Sequence, residues 1–301
     1  AFNIGNIGGA SMGLNIVFGI DTTTAAAISG ILGILLFASP KMGGVLDNTA
    51  KVLGTVMLVL IGYVAFSTNP PVAEAATHAI VPTNYPWLAT ITLIGGTVGG
   101  YITFSGGHRL IDAGITGREH LKDVRRAAFM GMSVDAIVRI LLFLAVLGVV
   151  SMGFALDPKD PAGSAFLLGA GEIGHKLFGI VFFCAALTSV VGAAYTSVSF
   201  LKTLFKVVER YEKLTIMAFI FVSTCILIFI GKPATLLIVA GSVNGLILPV
   251  TLAVMLLATR KTNIVGDYKH NPVLFYTGWI VVLVTAYIGV TSLQGIAKLL
   301  G

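Results

Sequence analysis

Uncharged, mostly apolar stretches recur nine times along the chain, at about residues 1–20, 24–38, 52–66, 87–117, 127–155, 163–201, 214–231, 233–258 and 273–298, each bounded by charges or by Pro/Gly clusters. The runs are continuous rather than alternating. In hydrocarbon every backbone N–H and C=O must be paired within the segment or around a closed barrel, and barrel strands alternate, so continuous runs predict helices. About 20 residues cross roughly 30 Å of hydrocarbon, and flanking Thr, Ser and Gly can carry the shorter runs to the interface. The pattern predicts an all-α bundle of nine membrane spans forming one domain over residues 1–301. The longest polar connection, 67–86, reads as a loop.

Composition sharpens this picture: 56% of the residues are apolar and 11% charged, against roughly 25% charged in soluble globular domains. The charges collect in the connections. Loops after the second, fourth, sixth and eighth spans hold thirteen Lys and Arg: Lys41, Lys51, Arg118, Lys122, Arg125, Arg126, Lys202, Lys206, Arg210, Lys213, Arg260, Lys261 and Lys269. The opposite loops hold only Lys159 and Lys232 clearly. Positive charge marks the cytoplasmic side, so the chain start is expected there and the chain end outside. The net charge of +6 thus has a topological origin, and a nucleic-acid partner is excluded because the basic residues form no aromatic-interleaved face. Cys184 and Cys225 lie within apolar runs and read as small buried hydrophobes. The first residue is Ala1, entering an apolar run at once, and the chain reads as truncated at its start.

The stretch "IGGTVGGYITFSGGHR", 94–109, places six glycines inside one apolar run. One reading is packing, since Gly95 with Gly99 and Gly96 with Gly100 form overlapping small-xxx-small pairs. The other follows from length. From Trp87 to Gly117 a continuous helix of 31 residues would measure about 46 Å at about 1.5 Å per residue, too long for one upright crossing. A helix broken near Gly99–Ser105, followed by a short helix carrying His108, Arg109 and Asp112, resolves this. Broken helices expose carbonyls and amides to a substrate at the membrane midplane. The substrate-binding residues predicted there are Gly96, Thr97, Gly99, Gly100 and Tyr101, with the backbone of Gly96 and Gly99 facing any bound cation.

Other intramembrane polar residues have two readings each. Asp135 and Arg139, at i, i+4, are either functional charges or a self-neutralising pair. Asn244 either lines a pathway or bonds within the bundle. His108 and Arg109 form a gate or mark the cytoplasmic interface. The G-x-S-x-G string Gly9–Gly13 lies inside an apolar run rather than on a strand-to-helix turn, so it is no nucleophile elbow. There is no H-E-x-x-H, and the five histidines lack metal-ligand spacing. An enzyme is not expected, nor a cofactor.

"NIGNIGGASMGLNIVFGI", residues 3–20, resembles the third transmembrane helix of the NRAMP family, and the glycine stretch falls where that family's sixth helix lies. "GGTVGGYITF", "GGHRLIDAGI" and "TSVVGAAYTSVSF" (188–200) resemble a bacterial branch of it. The resemblance spans essentially the whole chain and implies a LeuT-like fold with helices one and six broken around a central site. The nine runs correspond to helices three to eleven, without the first two helices and their D-P-G-N metal-binding stretch. It implies transport of divalent transition metals, generally with protons, across a bacterial inner membrane. Two departures bear on that activity. Where the family has A-x-x-M-P-H, this chain has Gly96, Gly99, Gly100 and Tyr101, so the soft Met ligand is gone. Where it has two acids on the third helix, this chain has Asn3 and Asn6, which cannot exchange protons. The expectation is weak or absent proton coupling and a hydrated Mg²⁺-like cation as partner alongside the lipid bilayer. A small organic solute such as an organic acid, or a non-transporting membrane scaffold, are the alternatives.

Overall fold

A computed structural model describes residues 2–98, 107–108, 110–158 and 160–300, and no strand occurs among the described residues. The helices are α1 (Phe2–Phe18), α2 (Thr22–Ala38), α3 (Pro40–Ser67), α4 (Val72–Ile80), α5 (Trp87–Val98), α6 (Leu121–Ser151), α7 (Pro161–Lys202), α8 (Lys206–Arg210), α9 (Glu212–Ile230), α10 (Pro233–Ala258), α11 (Thr262–Val265) and α12 (Pro272–Leu300). Every apolar run carries a helix. The all-α membrane fold is therefore as the pattern predicts.

Residues at the helix ends explain the turns. Asp21 caps α2 by accepting from the N–H groups of Thr23 and Thr24 at 3.0 and 2.9 Å, satisfying two donors that have no intrahelical partner. Asn15 closes the same turn by donating to the Ile20 carbonyl at 2.7 Å. The chain thereby bends by 117° between α1 and α2. Pro40, Pro161 and Pro233 stand in the first turn of α3, α7 and α10, where a missing N–H leaves no bond unmade.

Helix α1 is the most enclosed element, buried from Ile7 to Leu14 without a solvent stripe. Its small residues admit its neighbours closely. A Cβ at Gly13 would lie 2.7 Å from Phe183 N and 2.8 Å from Gly179 O on α7, and one at Gly8 would lie 3.2 Å from Pro233 Cβ on α10. Apolar burial gathers in two cores. One joins α1, α2, α7 and α9 around Ile7, Val190, Val198 and Ile220. The other joins α3, α6 and α7 around Ile61, Val64, Val149 and Phe166, with Phe166 and Phe178 stacked at 4.5 Å. Helix α7 belongs to both.

Several expectations need correction. Among the described residues five helices (α6, α7, α9, α10 and α12 to Leu293) are long and apolar enough to cross a membrane, or up to seven if each bent pair counts as one span. Of the remaining helices, α1 and α2 have 17 residues each, about 26 Å at about 1.5 Å per residue, and α5 is described over 12. The connection 67–86 is not simply a loop, because it holds α4, set at 103° to the end of α3. The run 163–201 is not one straight helix. α7 is interrupted at Gly171, whose φ of 67° and ψ of −171° fall in a region essentially reserved for glycine.

Candidate functional site

Helix α5 lies against α10, and the glycines fix how closely. A Cβ built on Gly95 would fall upon Gly241 O and Gly245 N, while one on Gly245 would lie 2.5 Å from Ile91 O. Only hydrogen fits at these positions. Beside this contact the hydroxyls of Thr92 and Ser242 meet at 2.7 Å. Each also reaches its own i−4 carbonyl, Leu88 O at 2.7 Å and Ile238 O at 2.8 Å. Each hydroxyl has one proton, so one donates across the helix pair while the other donates to its own turn. Gly96 differs: a Cβ there would touch nothing within 4 Å. The packing reading of the glycine stretch therefore fits Gly95, whereas Gly96 and Thr97 are exposed at the end of α5. Gly99, Gly100, Tyr101 and Arg109 lie outside the described residues.

The two amides in the first half of α1 have different surroundings. Asn6 donates to the Ser189 carbonyl of α7 at 3.2 Å. Asn3 is 1% exposed, yet both its Nδ2 and Oδ1 lack a hydrogen-bond partner among the described residues. A buried, unpaired amide costs about 1–3 kcal/mol. The antiparallel register of α1 on α10, with Gly8 on Pro233 and Gly5 on Leu237 and Ala240, runs Asn3 toward the level of Asn244. Asn244 is buried and donates to the Ala240 carbonyl of its own helix at 2.9 Å. Helix α10 thus carries both Asn244 and the glycine contact with α5, and α1 packs on it as well.

Asp135 and Arg139 stand apart. Their carboxylate and guanidinium pair at 2.8 Å with both side chains more than a third exposed, on a helix whose principal contacts are α3 and α7. The geometry is that of the self-neutralising pair. His108 sets its ring edge-on to Phe200 of α7, centroids 5.5 Å apart.

A polar cluster close to His108 went unrecognised in the sequence. Asp112 Oδ2 accepts from Ser199 Oγ at 2.7 Å, Tyr195 Oη at 3.3 Å and Lys202 Nζ at 3.3 Å. Lys202 also donates to Glu212 of α9 at 3.4 Å. The signal was present as Tyr195, Ser199 and Lys202 at i, i+4 and i+7 on one helix face, but nothing local names Asp112 as their common partner. Two other carboxylates lie outside the spans. The Thr24 hydroxyl and the Thr23 and Thr24 amides hold the exposed Asp21 below the usual carboxylate value. Burial pushes Asp160 above it, against the opposing pull of the Gly163 N–H and of His175, 3.9 Å away. Among the described residues no group of three or more His, Cys, Asp or Glu could hold a metal ion.

Residues 1–294 match the family described as "Natural resistance-associated macrophage protein-like". The chain belongs to the Nramp family. It is 51% identical over 286 residues to an "Uncharacterized membrane protein" of Haemophilus influenzae, covering 95% of this chain and 72% of that one. It is 50% identical over 293 residues to "Uncharacterized membrane protein YcsG" of Bacillus subtilis, covering 97% of this chain and 72% of that one. Nramp proteins are membrane transporters, for which divalent metals are the typical cargo. An integral membrane location follows from the family and the apolar helices together.

Proposed function

We propose that this Nramp-family chain carries a hydrated divalent cation of the Mg²⁺ kind through a site dominated by backbone carbonyls, with weak or no proton coupling. Asn3 carries the reading. An amide with both ends unsatisfied, at 1% exposure, offers one acceptor and two donors to water or a hydrated guest, and it neither takes nor releases a proton at physiological pH. Gly99 supports the same conclusion, because it stands where the family's Met would supply sulfur and leaves backbone oxygen there and at Gly96, the ligand type suited to Mg²⁺ and unsuited to selecting softer metals. A proton-coupled site built for Mn²⁺ or Fe²⁺ would want the opposite at both places.

The test is uptake into proteoliposomes, with calorimetry of Mg²⁺, Mn²⁺ and a panel of carboxylic acids. Mg²⁺ flux that hardly changes when an inward proton gradient is imposed is the expected result. Strong acceleration by protons contradicts the uncoupled reading. Binding of the acids alone would replace the cation with an organic solute, and no flux of any solute would leave a membrane scaffold.

A further inference from the structure

Five side chains from three elements (Tyr195, Ser199 and Lys202 of α7, Glu212 of α9, and Asp112) converge on the Lys/Arg-rich end of α7. Tyr195, Ser199 and Lys202 occupy successive turns of one face, and all three address a single carboxylate, Asp112, on the segment that follows the glycine stretch. His108, one turn earlier on that segment, touches the same helix at Phe200. The segment after the glycines is therefore tied to α7 by its polar end and steadied by a ring contact.

The ammonium of Lys202 is shared. It sits 3.3 Å from Asp112 and 3.4 Å from Glu212, so withdrawal of Asp112 leaves the cation with a carboxylate at the start of α9 rather than alone. Asp112, at 29% side-chain exposure, has water within reach when it leaves. Neither charge is orphaned in the released state, which avoids the heavy cost of an unpaired buried ion. A contact that is strong when closed and inexpensive when open is what a two-state element requires.

We propose that Asp112 and Lys202 form an ionic latch holding the segment after the glycine stretch against α7, and that its release opens the Lys/Arg-rich end of the transport pathway. The latch rests on the transport reading above for its purpose, but its opening is measurable without any substrate. Gly192 supplies the reporter position. It lies on the same α7 face one turn before Tyr195, and among the described residues nothing lies within 4 Å of a Cβ there. In the full chain with Cys184→Ser, Cys225→Ser and Gly192→Cys, reconstituted in nanodiscs, a bulky maleimide reports access past the latch. Asp112→Asn and Lys202→Met should each raise the alkylation rate roughly tenfold, the population shift worth about one charge-assisted hydrogen bond. Lys202→Arg should stay near the parent, and Ser199→Ala, a milder change, should give a smaller rise if Asp112→Asn fails to fold. Unchanged rates in both charge variants overturn the latch. So does an equal rise at Cys225 when it is kept as the sole thiol, since that is general loosening. Absent cation flux with latch-dependent alkylation defeats only the transport reading, and flux with latch-independent alkylation defeats only the latch.

Discussion

Gly95 and Gly96 are adjacent and chemically identical, yet only the first has a neighbour where its Cβ would be. Gly95→Ala should therefore force α5 off α10 and lower stability by about 1–3 kcal/mol, the range for overpacking. Gly96→Ala should be neutral or gain up to about 1 kcal/mol from helix propensity. Thermal unfolding in micelles separates them, and equal midpoints would refute the α5–α10 contact. Asp160 gives a prediction with the opposite sign from a usual carboxylate. Its value is raised by burial, so the folded state holds the proton more tightly than the unfolded one. Its contribution is most favourable below 3.8 and is lost as pH rises through the raised folded value. Replacing it by Asn, which keeps the acceptor for Gly163 N–H, should flatten that decline, read as the unfolding midpoint of both forms across the acid range. Residue by residue, the site was only partly legible. Gly96 stood out as one of six glycines in an apolar run, whereas Asn3 and Asn6 stood out only through the resemblance to the family's third helix, where acids are expected. The Asp112 cluster did not, because its partners lie 83 to 90 positions apart and only tertiary folding joins them.

Elements were legible wherever hydrophobicity alone defines them. Each of the nine runs carries a helix among the described residues, but α4 was missed because Glu74, Thr77 and His78 interrupt its short apolar pattern, so it signals through propensity rather than hydropathy. The start of α3 at Pro40, twelve residues before its apolar run, was hidden because Pro40, Gly43, Gly44, Asp47 and Asn48 are poor helix formers and Lys41, Asp47 and Lys51 break the apolar pattern. Within α7, Gly171 is the feature to test. Any side chain at its backbone angles is strained by about 1–3 kcal/mol, so Gly171→Ala should lower the unfolding midpoint or merge the two arms of α7 into one longer rod. Distances between spin labels on Ser164 and Lys176 tell these apart. A midpoint and a distance both unaltered would mean that the elbow is not imposed by glycine.

For the whole molecule, the asymmetry of positive charge predicts how it sits in a bilayer. Alkaline phosphatase fused after Arg126 or Lys213 should be inactive, and fused within 152–160 or at the chain end it should be active. Activity after Arg126 would invert the proposed orientation. Hydropathy marks where helices are and cannot see the bends of 117° between α1 and α2 and 103° between α3 and α4, because a turn between two helices is set by caps and loop residues rather than by apolarity. Finally, α1 finds its principal partner in α7, with Asn6 reaching Ser189 across 183 positions. At synthesis rates of about 5–20 residues per second, α1 waits roughly 10–40 s before that partner exists. During that interval α1 already has α2 beside it, while the face carrying Asn6 and Gly13 goes without its α7 partner.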